Sequence, residues 1–337
     1  MRAYQIQDQF GLSNLKIVER DNPTPGPHQV VIKLSAASLN YRDWLMVNGH
    51  YNPKQLLPLI PLSDGVGVVE SVGSHVSAVA VGDRVAGIFA QNWLAGEPDQ
   101  SVLQHTVGGP LNGMLAERVV LNETGVVPVP THLTDEEAAT LPCAAVTAWS
   151  ALFERRPVRP GDTVLIQGTG GVSIFALQFA KLAGCRVAVI SSNDERLERC
   201  KQLGADYMHN YSTDPKWDKA MRGWTDGVGV DRVIEVGGQE TFGRSLKAVR
   251  HSGVIAMIGI LSGNRGNIDL VPILMRRIDV QGIFVGSRAT FIEMNRAIAD
   301  TQLRPVIDRV TAFDDAPAAF EQLARGGHFG KLVIKIG

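Results

Sequence analysis

The stretch Asp162-Thr-Val-Leu-Ile-Gln-Gly-Thr-Gly-Gly-Val-Ser173 runs an apolar strand into a glycine turn and the turn into a helix. Thr163–Gln167 is a short β-branched run suited to a buried parallel strand, and Val172, Phe175, Phe179 and Leu182 then recur at helical spacing. Gly168 and Gly170 allow a tight turn and close backbone approach, with Thr169, Gly171 and Val172 completing the loop. Unpaired N–H groups and the positive dipole end of the helix then face a pyrophosphate. The match to G-x-G-x-x-G fails only at its third glycine, which is Ser173, where a small side chain is wanted for close helix–strand packing.

Such a string is weak by itself, but its surroundings continue the pattern. Arg186-Val-Ala-Val-Ile-Ser191 reads as the next strand and ends roughly twenty residues beyond the glycines, where a ribose-reading residue belongs. A helix follows, with Asn193 or Asp194 near its N-cap and Gly204 as its stop. Strands at Arg232–Val236 and Val254–Gly259, separated by a helical Glu240–Arg250, extend the alternation expected of a doubly wound parallel sheet. The fold class is therefore α/β, with a dinucleotide as ligand.

At the second strand's end a site for NAD would present Asp or Glu to the ribose 2′-hydroxyl, whereas this chain reads Ser191-Ser192-Asn193-Asp194-Glu195-Arg196. Hydroxyls and a planar cation suit the 2′-phosphate of NADPH, so Ser191, Ser192 and Arg196 are assigned to it. The competing reading has Arg196 solvated and Asp194 on the ribose of NADH. NADPH is preferred over NADH.

The 337 residues, 45% apolar and 20% charged, are enough for two domains with a large core. With 33 basic and 34 acidic residues the net charge is −1, so no global field favours nucleic acid or an anionic membrane, and a small-molecule substrate is expected. No signal segment or membrane-length apolar run is visible, and a cytoplasmic location is expected. Cys143, Cys185 and Cys200 are too few and too scattered for a disulfide framework, and none of the eight histidines stands at a metal-ligand spacing.

Before residue 130 the pattern changes to short strands, Val30–Leu34, Val66–Val72, Arg84–Phe89 and Leu115–Leu121, punctuated by turn residues as in an antiparallel barrel. Thr134-Asp-Glu-Glu137 is a capping box, and a second helical stretch from Ala144 to Phe153 leads into the dinucleotide region. After Gly282-Ile-Phe-Val-Gly286 comes a helix, and Lys331–Ile336 is again a strand, so the tail is expected to return to the first domain.

Ser38-Leu-Asn-Tyr-Arg-Asp43, Asp64-Gly-Val-Gly-Val-Val-Glu-Ser-Val-Gly73, Val81-Gly-Asp-Arg-Val85 and the Gly168–Ser173 loop together resemble the medium-chain dehydrogenase/reductase superfamily over essentially the whole chain. The resemblance implies a GroES-like β-barrel catalytic domain at 1–143 and 288–337, a Rossmann domain at 144–287, and an active site in the cleft between them. It also implies a homodimer joined by edge strands of the Rossmann sheets, with Val280–Val285 as the candidate edge. Thr147 resembles the residue beneath the nicotinamide, the backbones of Gly259, Ile260 and Leu261 and of Phe284, Val285 and Gly286 fall where the carboxamide is held, and Gly330 and Lys331 are expected to close over the phosphates.

Zinc alcohol dehydrogenases of this superfamily hold the catalytic metal with a Cys in the first motif, a Gly-His-Glu in the second and a later Cys or Asp. Here those places are Asn40, Leu62-Ser63-Asp64 and Cys143, a poor set for a metal that wants three deprotonated or imidazole ligands. The cysteine-rich zinc lobe is missing as well, because Gln91–Gly113 contains no cysteine. No metal is expected, which puts the chain nearer the zinc-free quinone oxidoreductases, although its glycine loop follows the alcohol dehydrogenase spacing.

Without metal, charge arriving on the acceptor oxygen needs donors already aimed at it. Asn40 is the first candidate, and Tyr41 or Arg42 would polarise the oxygen or relay a proton. Other roles fit the same residues: Asn40 as a turn cap, Tyr41 and Arg42 on cofactor phosphates, Asp43 orienting Arg42. Trp44, Tyr51, Phe89, Trp93 and Leu94 either shape an apolar pocket or pack structurally. The leading expectation is an NADPH-dependent reductase of quinones, enones or enals, or simple carbonyls. Its rivals are a zinc alcohol dehydrogenase with a degenerate metal site and a non-catalytic NADPH-binding redox sensor.

Overall fold

Between Thr147 and Phe284 six strands form one sheet in the order Tyr207–Asn210, Arg186–Ser191, Thr163–Gln167, Val230–Glu235, Val249–Met257, Asp279–Gly282. Every neighbouring pair is parallel. Numbered along the chain this is 3-2-1-4-5-6, the Rossmann order, whose reversal lies between Thr163–Gln167 and Val230–Glu235. Ligands of such sheets bind beyond the carboxyl ends of the strands at that reversal, so the geometry singles out the loops after Gln167 and Glu235.

Thr163–Gln167 is buried along its whole length, as a central parallel strand must be. The helix Gly171–Leu182 buries Ser173, Ile174, Phe175, Ala176, Leu177, Phe179 and Ala180, a broader face than the apolar spacing predicts. Leu182, expected on that face, is 42% exposed at the helix end. Phe175 and Phe179 stack with centroids 5.8 Å apart, and Trp149 meets Phe179 edge-on at 5.3 Å.

In the computed structural model, which describes residues 1–337, the chain divides into Met1–Val146 with Val285–Gly337 and Thr147–Phe284. The divisions fall at 146/147 and 284/285, against the expected 143/144 and 287/288. The discontinuous unit carries a seven-stranded sheet built around Gln29–Ser38, which pairs antiparallel with Asp64–Val72, Arg118–Asn122 and Lys331–Lys335. Arg84–Gly87 and Val126–Pro128 extend it on one side and Ile307–Ala312 on the other, so the tail does rejoin the first half of the chain. Gly67 allows the closest approach in this sheet, since a Cβ there would lie 2.0 Å from the Lys33 carbonyl oxygen.

Two registers decide what meets at one end of this sheet. Ser38 pairs with Asp64 on one side and with Val333 on the other, so the segments Ser38–Asn40, Ser63–Asp64 and Lys331–Val333 converge although far apart in sequence. Thr134–Glu137 closes the capping box: Thr134 Oγ1 accepts from the Glu137 N–H at 3.2 Å and the Glu137 carboxylate from the Thr134 N–H at 2.8 Å. The expected helix from Ala144 starts as a π-helical turn over Leu141–Ala145, which carries Cys143, and becomes α-helical over Val146–Phe153. No helix is long and apolar enough to cross a membrane.

Candidate active site

In the unit Thr147–Phe284 the glycine loop has the form its sequence requires. Gly168 takes a φ of +70°, which a side chain would strain, and the helix starts at Gly171 with Gly170 as N-cap. Ser173 fills the third glycine position by turning its hydroxyl back onto the Gln167 carbonyl at 2.7 Å, buried at the helix–strand contact. Thr169 is buried at 4% and Val172 half-buried. Thr147, at the start of its helix, is buried at 4%.

The loop after Glu235 lies across the reversal point. Glu235 is wholly buried, and its carboxylate accepts hydrogen bonds from Gln167 Nε2 (2.7 Å), Thr241 Oγ1 (2.5 Å), the Gly237 and Gly238 N–H groups (2.9 and 3.0 Å) and Ser245 Oγ. It ties the ends of the two switch-point strands to one turn. Gly259, Ile260 and Leu261 are laced to that turn, with Gly259 N donating to Glu235 O and Leu261 N to Val236 O, each at 3.2 Å. Gly259 must be glycine, since a Cβ would stand 2.6 Å from the Val236 carbonyl oxygen. Ile260 and Leu261 are 49% and 54% exposed.

At the second strand's end Ser191 is buried and Ser192 exposed, and Asn193 caps the helix Asp194–Gln202 by accepting from the Arg196 N–H at 2.8 Å. Arg196 Nη2 donates to Ser192 Oγ at 3.3 Å, and its Nε is buried with no hydrogen-bond partner. Asp194, the rival ribose reader, already accepts from Asn210 Nδ2 at 2.8 Å.

In the other unit the convergent strand ends form a buried polar cluster. Lys331, 3% exposed, donates from Nζ to Leu39 O and to Asn40 Oδ1, both at 2.6 Å, and lies 3.9 Å from Asp64 Oδ2. Asp64, wholly buried, accepts from Ser63 Oγ (2.7 Å), Ser38 Oγ (3.3 Å) and the Cys143 N–H (3.3 Å). Burial pushes the Asp64 carboxyl up and the Lys331 ammonium down, and each is pulled back by the other's opposite charge. Burial, then the Asp64 carboxylate, push the Cys143 thiol well up, so it stays protonated. Leu62, just before Ser63, sits at φ +71°, and Val285 at φ +50°; both are strained for such side chains.

The structure revises two site assignments. Lys331 is not free to close over phosphates, because its ammonium is buried against Leu39, Asn40 and Asp64. Arg42, expected at the acceptor oxygen, is 8% exposed and holds the 107–109 loop, donating to Asp43 Oδ1, Val107 O and Gly108 O at 3.1 Å each and to Gly109 O at 3.2 Å. Its guanidinium lies over the Tyr51 and Phe89 rings, 4.9 and 5.3 Å from their centroids. Asp43 orients Arg42 as expected and also accepts from the Asn40 N–H at 2.8 Å. Asn40 therefore both caps the helix Tyr41–Val47 and belongs to the polar cluster, while Tyr41 is 40% exposed on that helix. The sequence assigns no hydrogen-bonding role to Ser38, Ser63 or the Gln167–Glu235 pair, because single polar residues at strand ends carry no spacing signal.

Two family models match in tandem: "Alcohol dehydrogenase GroES-like domain" over residues 26–131 and "Zinc-binding dehydrogenase" over 171–300. A zinc-type alcohol dehydrogenase-like protein of Schizosaccharomyces pombe is 42% identical over 99% of both chains. The chain belongs to the medium-chain dehydrogenase/reductase superfamily. Its architecture follows: a crystal structure of an NAD-dependent alcohol dehydrogenase superposes with a TM-score of 0.92 at 34% identity, over the whole of both chains. A mycobacterial protein complexed with NADPH superposes at 0.84 and 27% identity, again over both whole chains. This superfamily member is an NAD(P)H-dependent oxidoreductase, with a nicotinamide cofactor on its Rossmann unit.

The metal named in the second family description does not fit the residues here. No three His, Cys, Asp or Glu side chains converge as a ligand set. Of the positions matching the family's ligands, Asn40 is an amide bonded to an ammonium and Asp64 is already hydrogen-bonded on both oxygens, which leaves the Cys143 thiol as the one remaining donor. A divalent ion would have to sit against the Lys331 ammonium.

Proposed function

We propose that this dehydrogenase/reductase works without zinc, transferring hydride from NADPH to a quinone, an enone or enal, or a simple carbonyl. The observation that carries the reading is the buried cluster in which an ammonium and an amide stand where relatives described as zinc-binding would present ligands. In this reading Asn40 donates through its amide to the acceptor oxygen as charge arrives there. Tyr41, exposed on the same helix, is the proton source. The backbone of Gly259–Leu261 and of Phe284–Val285 holds the carboxamide, and the Gly168–Ser173 loop the pyrophosphate. NADPH is favoured over NADH by Ser192 and the partnerless Nε of Arg196.

The test is NADPH oxidation against a panel of quinones, enals and ketones, before and after exhaustive chelation with metal analysis of the treated protein. Turnover of at least one acceptor that survives chelation unchanged is expected. Activity lost on chelation and restored by Zn²⁺ would favour the zinc alcohol dehydrogenase. Tight NADPH binding with no turnover would favour the redox sensor.

We also propose a homodimer across the free edge of the Rossmann sheet. Asp279–Gly282 pairs on one side only, and Leu270, Val271, Leu274 and Met275, in and beside the helix preceding it, are 61–77% exposed. Leu274→Glu is expected to convert the dimer to a monomer, which sedimentation velocity reads directly; an unchanged mass would remove this edge as the interface.

A further inference from the structure

We propose that Lys331 is a positioning residue that performs a metal's two duties in the barrel unit, neutralising Asp64 and setting the orientation of the Asn40 amide. This rests on the zinc-free reading above and adds a residue to it. An ammonium has only donors, so the Asn40 atom 2.6 Å from Nζ must be the oxygen, and Nδ2 is turned to the opposite side. There Nδ2 points to Ser63 Oγ at 3.4 Å, and Ser63 Oγ in turn donates to Asp64 Oδ1 at 2.7 Å. Asp64 Oδ2 faces the ammonium at 3.9 Å, which closes a ring of Lys331, Asn40, Ser63 and Asp64.

Each member of the ring fixes the next. Without the ammonium the amide could flip and present its oxygen to an incoming carbonyl, which is the wrong polarity for a developing oxyanion. Asp64 would also be left as a wholly buried carboxylate with no cation, a costly arrangement. The cation here is covalently attached to the last strand, where Gly330 lets the chain pass close to the Val306 carbonyl and deliver Lys331 into the cluster. It needs no loading, and its charge opposes entry of a second cation.

The experiment has a metal arm and a kinetic arm. In the first, the wild-type chain is mixed with Co²⁺ and desalted; no retained cobalt and no thiolate-to-cobalt charge-transfer band are expected. Stoichiometric cobalt with such a band, Lys331 being intact, would overturn the proposal. This arm needs no turnover, so it still decides the question if the reductase reading fails. In the second, Lys331→Met and Asn40→Ala are made singly and together, with Lys331→Arg alongside to keep the cation should the methionine variant melt early. Each single change is expected to lower kcat about tenfold, the worth of one charge-assisted hydrogen bond, and the double variant to be no slower than the slower single. Losses that multiply to about a hundredfold would sink the positioning role. The Kd for NADPH should stay within about twofold in Lys331→Met; a large rise would return Lys331 to the phosphates.

Discussion

Glu235→Ala is expected to cost the Rossmann unit about 3–5 kcal/mol, because it strands several buried donors at once. The carboxylate receives five hydrogen bonds, from Gln167, Thr241, Ser245 and the Gly237 and Gly238 N–H groups, in a place with no solvent access. Each donor left unpaired in such a place costs roughly 1–3 kcal/mol, and the losses overlap because the groups share one cavity. Glu235→Gln keeps the volume but turns an N–H toward some of the same donors, so it should lose about half as much. The effect should extend to the cofactor, since Gly237 and Gly238 begin the loop at the strand-order reversal and Gly259–Leu261 are hydrogen-bonded to it. Chemical denaturation of both variants, with and without NADPH, checks this; a loss under about 1 kcal/mol for Glu235→Ala would show that water satisfies the donors.

For Arg196→Ala the expectation is a loss of roughly ten- to a hundredfold in NADPH affinity, with NADH affinity changed by no more than about twofold. The guanidinium spans one contact to Ser192 Oγ and one Nε–H with nothing in the chain to receive it. A 2′-phosphate would accept from the guanidinium and from the Ser192 hydroxyl, whereas a 2′-hydroxyl in its place does not need an arginine. Asp194 is held by Asn210 rather than turned to a ribose, so Asp194→Ala should leave the NADPH preference in place. Titrating both nucleotides into the two variants decides it. Equal losses for NADPH and NADH in Arg196→Ala would end the argument for a phosphate reader.

The strands Thr163–Gln167 and Arg186–Ser191 were legible to the residue, because a buried parallel strand is an unbroken apolar run with a glycine turn at its end. Boundaries blurred where tertiary pairing extended an element. Val249–Met257 begins five residues before the apolar run that announces it, and Gln29–Ser38 outlasts Val30–Leu34 because it serves three partner strands. Arg42 departs from its expected place for a related reason: nothing in Asn40-Tyr-Arg-Asp43 says that the 107–109 carbonyls fold over it.

By itself the sequence determined the nucleotide half, down to the serine that replaces a glycine, since strand, turn, helix and next strand are consecutive and their physics is local. It also showed that ligands expected of a zinc enzyme are missing. Only the tertiary structure decided what stands in their place. Lys331 and Asn40 are separated by 291 residues, and they meet because the register of three antiparallel strands puts Ser38 between Asp64 and Val333. Register is set by the packing of whole faces of a sheet, so a charge buried through it leaves no mark in the spacing of the residues it joins.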